Sequence, residues 1–195
     1  MESESAAMDQ EDLEQERKRR CMRTQANLTI SGVLMFVAAF CCLLGIAMPW
    51  FTVRVALEGG GSEVVDVSLW SRRALEGEGF KMSKVNLAIL LALVSLIASF
   101  SSGMCLILSC LRESQKLAFV GSWLCFGTIL SSLGTGVVAA FAGLAGKYGH
   151  HHGGTTAMTV GFVLSIVTWW ILGKRRNTHQ DDLDAAVASK ERIPA

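Results

Sequence analysis

Charged residues are missing from four long stretches of this 195-residue sequence. The stretches are bounded by Arg23 and Arg54, Lys84 and Arg112, Lys116 and Lys147, and Lys147 and Lys174. A helix needs about 20 mostly apolar residues to cross the hydrocarbon core of a bilayer, and each stretch is long enough for that. Four such stretches would be very unusual in a soluble protein, so the sequence predicts an integral membrane protein that contacts the lipid bilayer.

Catalytic and metal-binding signatures are also missing. The sequence has no HExxH motif, no phosphate-binding glycine loop and no CxxC pair. A charge inside the bilayer costs at least ~2.5–3.5 kcal/mol and is normally kept only for function, yet the four stretches contain none. The three histidines at 150–152 cannot all converge on one ion, so they favour a solvated turn, with metal binding by two of them and a partner, or a pH-responsive turn, as the alternatives. We therefore expect a protein that is not an enzyme, with no cofactor, no bound metal and no nucleic-acid partner.

The placement of the apolar stretches predicts the fold class. We expect an all-α membrane protein, a bundle of four transmembrane helices with a small β-hairpin on its outer surface. The spans are predicted at about 27–48, 85–111, 117–146 and 156–173. The turn RESQK is so short that the second and third spans must form an antiparallel hairpin.

The remaining segments divide into two tails and two loops. Residues 1–26 form a tail that is first acidic and then basic, and residues 174–195 form a polar tail that we expect to be flexible. The loops are residues 49–84 and 147–155. Near the span ends, ten lysines and arginines lie on the side of the tails and the RESQK turn, and six lie on the side of the two loops. This bias predicts cytoplasmic termini and outward-facing loops, with the plasma membrane as the expected location.

The first loop contains two short runs with the periodicity of a strand. Residues 52–57 and 65–70 alternate in side-chain type, which is typical of strands with one covered face. Gly59, Gly60 and Gly61 lie between the runs and tolerate the positive φ angles of a turn. Two strands alone are marginally stable in water, so the hairpin should rest on the helix ends or on a partner.

Three tryptophan and leucine positions in this region resemble a known group of proteins. Trp50 follows the first span, and Leu69-Trp70 follows about twenty residues later, as a tryptophan and a Gly-Leu-Trp motif do in claudin-like tetraspan proteins. The stretch VDVSLWSRR, which ends on Arg72 and Arg73, is similar to the loop signature of amastins, surface tetraspan proteins of trypanosomatid parasites. That signature also has two cysteines and a glycine after the tryptophan, whereas this chain has a serine there and no loop cysteine.

The resemblance implies a surface structural or interaction protein that acts through its first loop. A simpler role for Leu69 and Trp70 is to pack the hairpin onto the helix ends, and the two roles are compatible. The missing loop cysteines favour a second hypothesis, an accessory subunit of a membrane complex in an intracellular organelle. A small transporter or channel component ranks below both, because hydroxyl groups in the third span suit helix packing as well as a pore.

Cysteines and small residues recur within and beside the spans. Most of the six cysteines are expected to act as small buried apolar groups, but Cys21 and Cys110 lie at the membrane boundary and are candidate palmitoylation sites. Small residues at four-residue spacing let helices approach closely in lipid, so we expect them to pack the bundle or to form a homo-oligomer. They are Ser95, Ser99 and Gly103 in the second span, and Ser132, Gly136 and Ala140, together with the pair Ala139 and Gly143, in the third.

Overall fold

The computed structural model of the protein describes residues 2–56, 62–68, 82–112, 114–141 and 153–191. These residues form four α-helices and two β-strands. The helices are α1 (Glu2–Ala47), α2 (Met82–Leu111), α3 (Gln115–Phe141) and α4 (Gly153–Glu191). The strands are β1 (Phe51–Ala56) and β2 (Ser62–Val67).

Each of the four described helices contains a stretch long and apolar enough to cross a membrane. The stretches are Cys21–Ala47, Ser83–Leu111, Gln115–Ala139 and Gly153–Lys174. They overlap the four predicted spans, although the third stretch ends at Ala139 and the prediction continued to 146. The predicted bundle of four helices long and apolar enough to span a membrane is confirmed. Large apolar side chains such as Phe40, Ile97 and Leu130 are exposed on the outside of the bundle, which is the arrangement expected of helices surrounded by lipid.

The helices form an up-down-up-down bundle in chain order, and α4 closes the ring against α1. The α1–α2 pair illustrates the antiparallel packing. Gly32 of α1 lies against Gly103 of α2, whereas Cys42, further along α1, bonds Ser95, which comes earlier in α2. We call the end with the α2–α3 turn and the helical extensions of α1 and α4 the terminal end. The opposite end, from which β1 departs, is the loop end.

Both α1 and α4 continue beyond their apolar stretches at the terminal end. The expectation of a flexible C-terminal tail was wrong for most of that segment, because α4 continues to Glu191. The sequence has no glycine or proline between Lys174 and Pro194, and none before Gly32. Ala, Leu, Glu, Lys and Arg are strong helix formers. Polarity alone was therefore a poor guide to flexibility in this tail.

The two strands overlap the two alternating runs of the first loop, but β2 begins three residues before the predicted second run and shares only residues 65–67 with it. They pair antiparallel, with Phe51 opposite Val67 and Ala56 opposite Ser62. The three glycines at 59–61 lie outside the described residues. The paired strands begin only a few residues after α1, which makes the connection at Trp50 the point that positions them.

Candidate functional site at the root of the first loop

The root of the first loop joins the end of α1 to the beginning of α4. Proline has no backbone N–H, so Pro49 cannot bond the Gly45 carbonyl one turn earlier in the helix. The indole of Trp50 replaces that bond, because its Nε1–H donates to the Gly45 oxygen at 2.6 Å. The Trp50 side chain is only 5% exposed. The tryptophan thus caps α1 and fixes the direction in which the chain leaves it.

A second backbone bond ties the root to α4. The Gly154 N–H donates to the Pro49 carbonyl at 3.1 Å. This N–H is among the first four of α4, which have no partner inside their own helix. The loop root therefore satisfies an orphan carbonyl at the end of α1 and an orphan amide at the start of α4 in one place.

Glycines make this junction sterically feasible. A Cβ on Gly154 would lie 2.6 Å from the Trp50 Cδ1 and 3.0 Å from the Met48 carbonyl oxygen. A Cβ on Gly45 would lie 2.8 Å from the Met158 Sδ. A methyl group at either glycine would therefore force the neighbouring atoms to move. The two glycines were not singled out from the sequence. A signal was present, because Ala38 and Gly45 in α1 are seven residues apart, as are Gly154 and Gly161 in α4, and small residues at this spacing are typical of helix packing.

Part of the predicted loop motif cannot be compared with the structure. Leu69, Trp70, Arg72 and Arg73 lie outside the described residues, as do Gly143 and the three histidines. Trp50 is the member of the motif that is described, and it is a buried capping residue.

Hydroxyl groups connect three helices in the middle of the bundle. The Ser95 and Ser132 Oγ atoms lie 2.6 Å apart and bridge α2 and α3. The Cys42 Sγ of α1 lies 3.5 Å from the same Ser95 Oγ. Ser95 and Ser132 were each predicted to be helix-packing residues, and the structure brings them into direct contact. Cys42 was predicted only as a small apolar group, so its polar contact was missed.

The other small-residue positions have diverse surroundings. Ser99 is buried and bonds the Ser95 carbonyl of its own helix at 2.6 Å, and Gly103 packs against the Gly32 carbonyl oxygen. Gly136 does not pack within the bundle, because it is exposed and an added Cβ would meet no atom within 4 Å, so a contact in a homo-oligomer stays a prediction for this residue. The side-chain surroundings of Ala140 are outside the described part of the chain. Four-residue spacing therefore identified the α2 face better than the α3 face.

Eleven Ser and Thr side chains are buried in the described part of the bundle. Most of them donate to a carbonyl one turn earlier in their own helix, as Thr135 and Ser165 do at 2.9 Å. Ser102 instead reaches the Gly121 carbonyl of the neighbouring helix at 2.7 Å. The Ser31 hydroxyl is buried without a hydrogen-bond partner. These groups are well suited to packing, since hydroxyls are small and satisfied locally.

The two candidate acylation sites differ in accessibility. Cys21 is exposed on α1. Cys110 is partly buried and turned toward α1, where its Sγ lies 3.5 Å from the Thr29 Oγ1 and 3.8 Å from the Gln25 carbonyl oxygen. An acyl chain on Cys110 would have to displace these contacts, so Cys21 is the better acceptor of the two.

The geometry defines a multi-pass membrane protein with a fixed loop root. The described residues contain no group of three or more His, Cys, Asp and Glu side chains placed to hold a metal ion. No known protein-family model matches the chain, and no curated protein is similar enough to count as a relative.

Proposed function

We propose that this protein is a non-enzymatic surface tetraspan of amastin-like or claudin-like type, which contacts a protein partner through its first loop. The root of that loop is the observation that carries the proposal. Trp50 and Pro49 connect β1 to two helices at once, through the Gly45 carbonyl and the Gly154 amide. A hairpin held in this way is presented at a defined position on the bundle, which lowers the entropic cost of binding a partner.

The bundle supports the role of a platform. Its buried polar side chains, within the described residues, are serines and threonines, and its four apolar stretches contain no Asp, Glu, Lys or Arg. Hydroxyl groups bonded to helix carbonyls neither carry charge nor exchange protons near neutral pH. These features favour packing over catalysis or ion-coupled transport. The ten-to-six bias of lysine and arginine favours cytoplasmic termini and a plasma-membrane loop.

An epitope inserted among Gly59, Gly60 and Gly61 tests the location of the loop. We expect this tag to be stained on intact cells, whereas a tag after Ala195 should be stained only after permeabilisation. Staining of the loop tag only in permeabilised cells that express the protein well would contradict the proposal.

Photo-crosslinking tests the interaction itself. A photoreactive residue at position 60 should give protein adducts on intact cells, because the loop is proposed to touch a partner. The same residue at Gly173, which is exposed at the terminal end of the span, serves as the control and should react mainly with lipid. Equal protein adducts at both positions would remove the special role of the loop.

One observation favours the second candidate, an accessory subunit in an organelle membrane. All six cysteines are free, and none lies in either loop, so the hairpin has no disulfide of the kind common in extracellular domains. Co-localisation of the loop tag with an organelle marker, together with co-purification in a stable membrane complex, would select this candidate.

A further inference from the structure

A row of aromatic rings crosses the α3–α4 boundary near the terminal end. We call Phe119, Trp123, Phe126 and Trp169 the aromatic panel. Successive ring centroids in this order are 6.1, 6.1 and 5.2 Å apart. Phe119 and Trp123 are about half exposed, so the panel presents a rigid surface to the surrounding lipid.

The panel is confined to one side of the bundle. On the other side of the terminal end, α1 has no aromatic residue before Phe36, and α2 has none after Phe100. An interfacial belt that only anchors a protein in the membrane would be expected on all sides. The one-sided distribution suggests that the panel recognises a particular molecule.

One lysine at the membrane boundary lies on the α3 face of the panel, and a second lies over the ring of Trp170, which follows Trp169 in the sequence. Lys116 precedes Phe119 and Trp123 by three and seven residues, so all three lie on one face of α3. Lys174 is the last residue of the fourth apolar stretch, and its Nζ lies 5.5 Å from the centroid of the Trp170 ring. Both lysines are exposed. The boundary next to the panel is therefore positively charged and bordered by aromatic rings.

Acidic residues are sparse in this part of the sequence. Neither α3 nor α4 before Asp181 contains Asp or Glu. Glu113 lies just before α3, outside the described residues. Positive charge at the height of the lipid headgroups attracts an anionic ligand.

We propose that the aromatic panel, together with Lys116 and Lys174, binds an anionic phospholipid of the adjacent leaflet. The headgroup phosphate lies beside the two ammonium groups, and the acyl chains lie along the rings. A phospholipid supplies both an anionic headgroup and an apolar chain that can lie along the rings at this depth. A free phosphate would use the lysines but leave the exposed rings without a role.

Quenching of tryptophan fluorescence by brominated lipids tests this site in the full-length protein. The protein is reconstituted into phosphatidylcholine vesicles that contain a small fraction of either brominated phosphatidylserine or brominated phosphatidylcholine. Quenching by the serine lipid should be several-fold stronger, because each lysine enriches an anionic headgroup by about fivefold. Lys116→Gln with Lys174→Gln should bring the ratio of quenching by the two lipids close to one, and each single variant should lower that ratio by a smaller factor.

Charge removal elsewhere at the terminal end is the matched control. Arg19 and Arg23 are exposed on α1, so Arg19→Gln with Arg23→Gln removes the same charge from outside the panel. This variant should keep the lipid preference. Equal quenching by both lipids in the unmodified protein, or an equal loss in the arginine variant, would overturn the proposal. Removal of the preference by inorganic phosphate would also overturn it, since the site would then bind free phosphate.

Discussion

The α1–α4 and α2–α3 interfaces pack in different ways. At the loop end of α1–α4, glycines bring backbone and side chains together, as Gly154 does with Trp50. Along α2–α3, serine hydroxyls bridge the helices, as in the Ser95–Ser132 bond. The loop end of α1–α4 depends on the absence of side-chain atoms. The α2–α3 interface adds small polar groups to one such glycine contact, since a Cβ on Gly121 would lie 2.9 Å from the Leu106 Cγ.

The difference follows from what each interface must hold in place. In lipid, helices associate through close packing and hydrogen bonds, because apolar side chains are as well solvated by acyl chains as by each other. The α2–α3 pair is already joined by a short turn, so modest hydrogen bonds suffice to set its register. The α1–α4 pair is far apart in sequence, and it must also hold the root of the loop. A substitution that disturbs the steric fit of α1–α4 should therefore lower stability more than one that removes a hydrogen bond from α2–α3.

The largest effect is expected when a methyl group is added at the loop root. In Gly154→Ala, the new Cβ would overlap Trp50 and must displace it or α4. Overpacking of this kind costs about 1–3 kcal/mol. We expect a lower unfolding midpoint in mixed micelles of a mild detergent and dodecyl sulfate, together with faster proteolysis of the first loop.

Gly136→Ala is the matched control for that change. A Cβ at Gly136 would meet no atom within 4 Å, so the same substitution adds a methyl group without overlap. Its stability should be unchanged or slightly raised, because alanine favours a helix over glycine by up to about 1 kcal/mol. If both variants lost stability equally, the steric account of the α1–α4 junction would be wrong.

Trp50→Phe separates the hydrogen bond at the root from the packing of the ring. Phenylalanine retains much of the aromatic volume but leaves the Gly45 carbonyl without the indole donor, and Pro49 offers no N–H to replace it. We expect a loss of about 0.5–1.5 kcal/mol of unfolding free energy. Hydrogen exchange at the last turn of α1 should increase at the same time. Unchanged exchange there would argue that the indole does not cap α1.

A double-mutant cycle on Ser95 and Ser132 measures the contrasting interface. Each change to alanine removes one partner of the bond, and the difference between the double variant and the sum of the single ones gives the coupling. Hydrogen bonds between membrane helices contribute about 0.6 kcal/mol on average, so we expect a coupling of that size. A coupling as large as the Gly154→Ala effect would erase the distinction between the interfaces.

The membrane fold was predictable because charge patterning is a strong signal over long stretches. The four spans and the antiparallel second and third helices follow from uncharged runs and one short turn. The helical extension of α4 was missed, because a polar segment was judged by its polarity and not by its lack of helix breakers. The strand periodicity of the first loop was informative because its two runs are short and separated by glycines.

The loop root was harder to predict, because it depends on partners distant in sequence. Trp50 was singled out by resemblance, but its bond to the Gly45 carbonyl depends on Pro49 at the adjacent position. That local signal was available: a proline after a helix leaves a carbonyl one turn earlier without a donor. The contact of Gly154 with the loop root could not be predicted, since nothing in one sequence identifies which helix end lies beside α1.

The smallest effect is expected at Ser31, and its sign should be opposite to that of the other buried hydroxyls. The Ser31 Oγ has no hydrogen-bond partner and the side chain is fully buried, so the hydroxyl is desolvated without compensation. Ser31→Ala should leave the unfolding free energy unchanged or raise it by about 0.5 kcal/mol or more. Ser102→Ala is the comparison, because it loses the 2.7 Å bond to the Gly121 carbonyl and should be destabilising. A clear loss of stability in Ser31→Ala would mean that its hydroxyl has a partner in the membrane, such as a bound water, and that the hydroxyl network extends into α1.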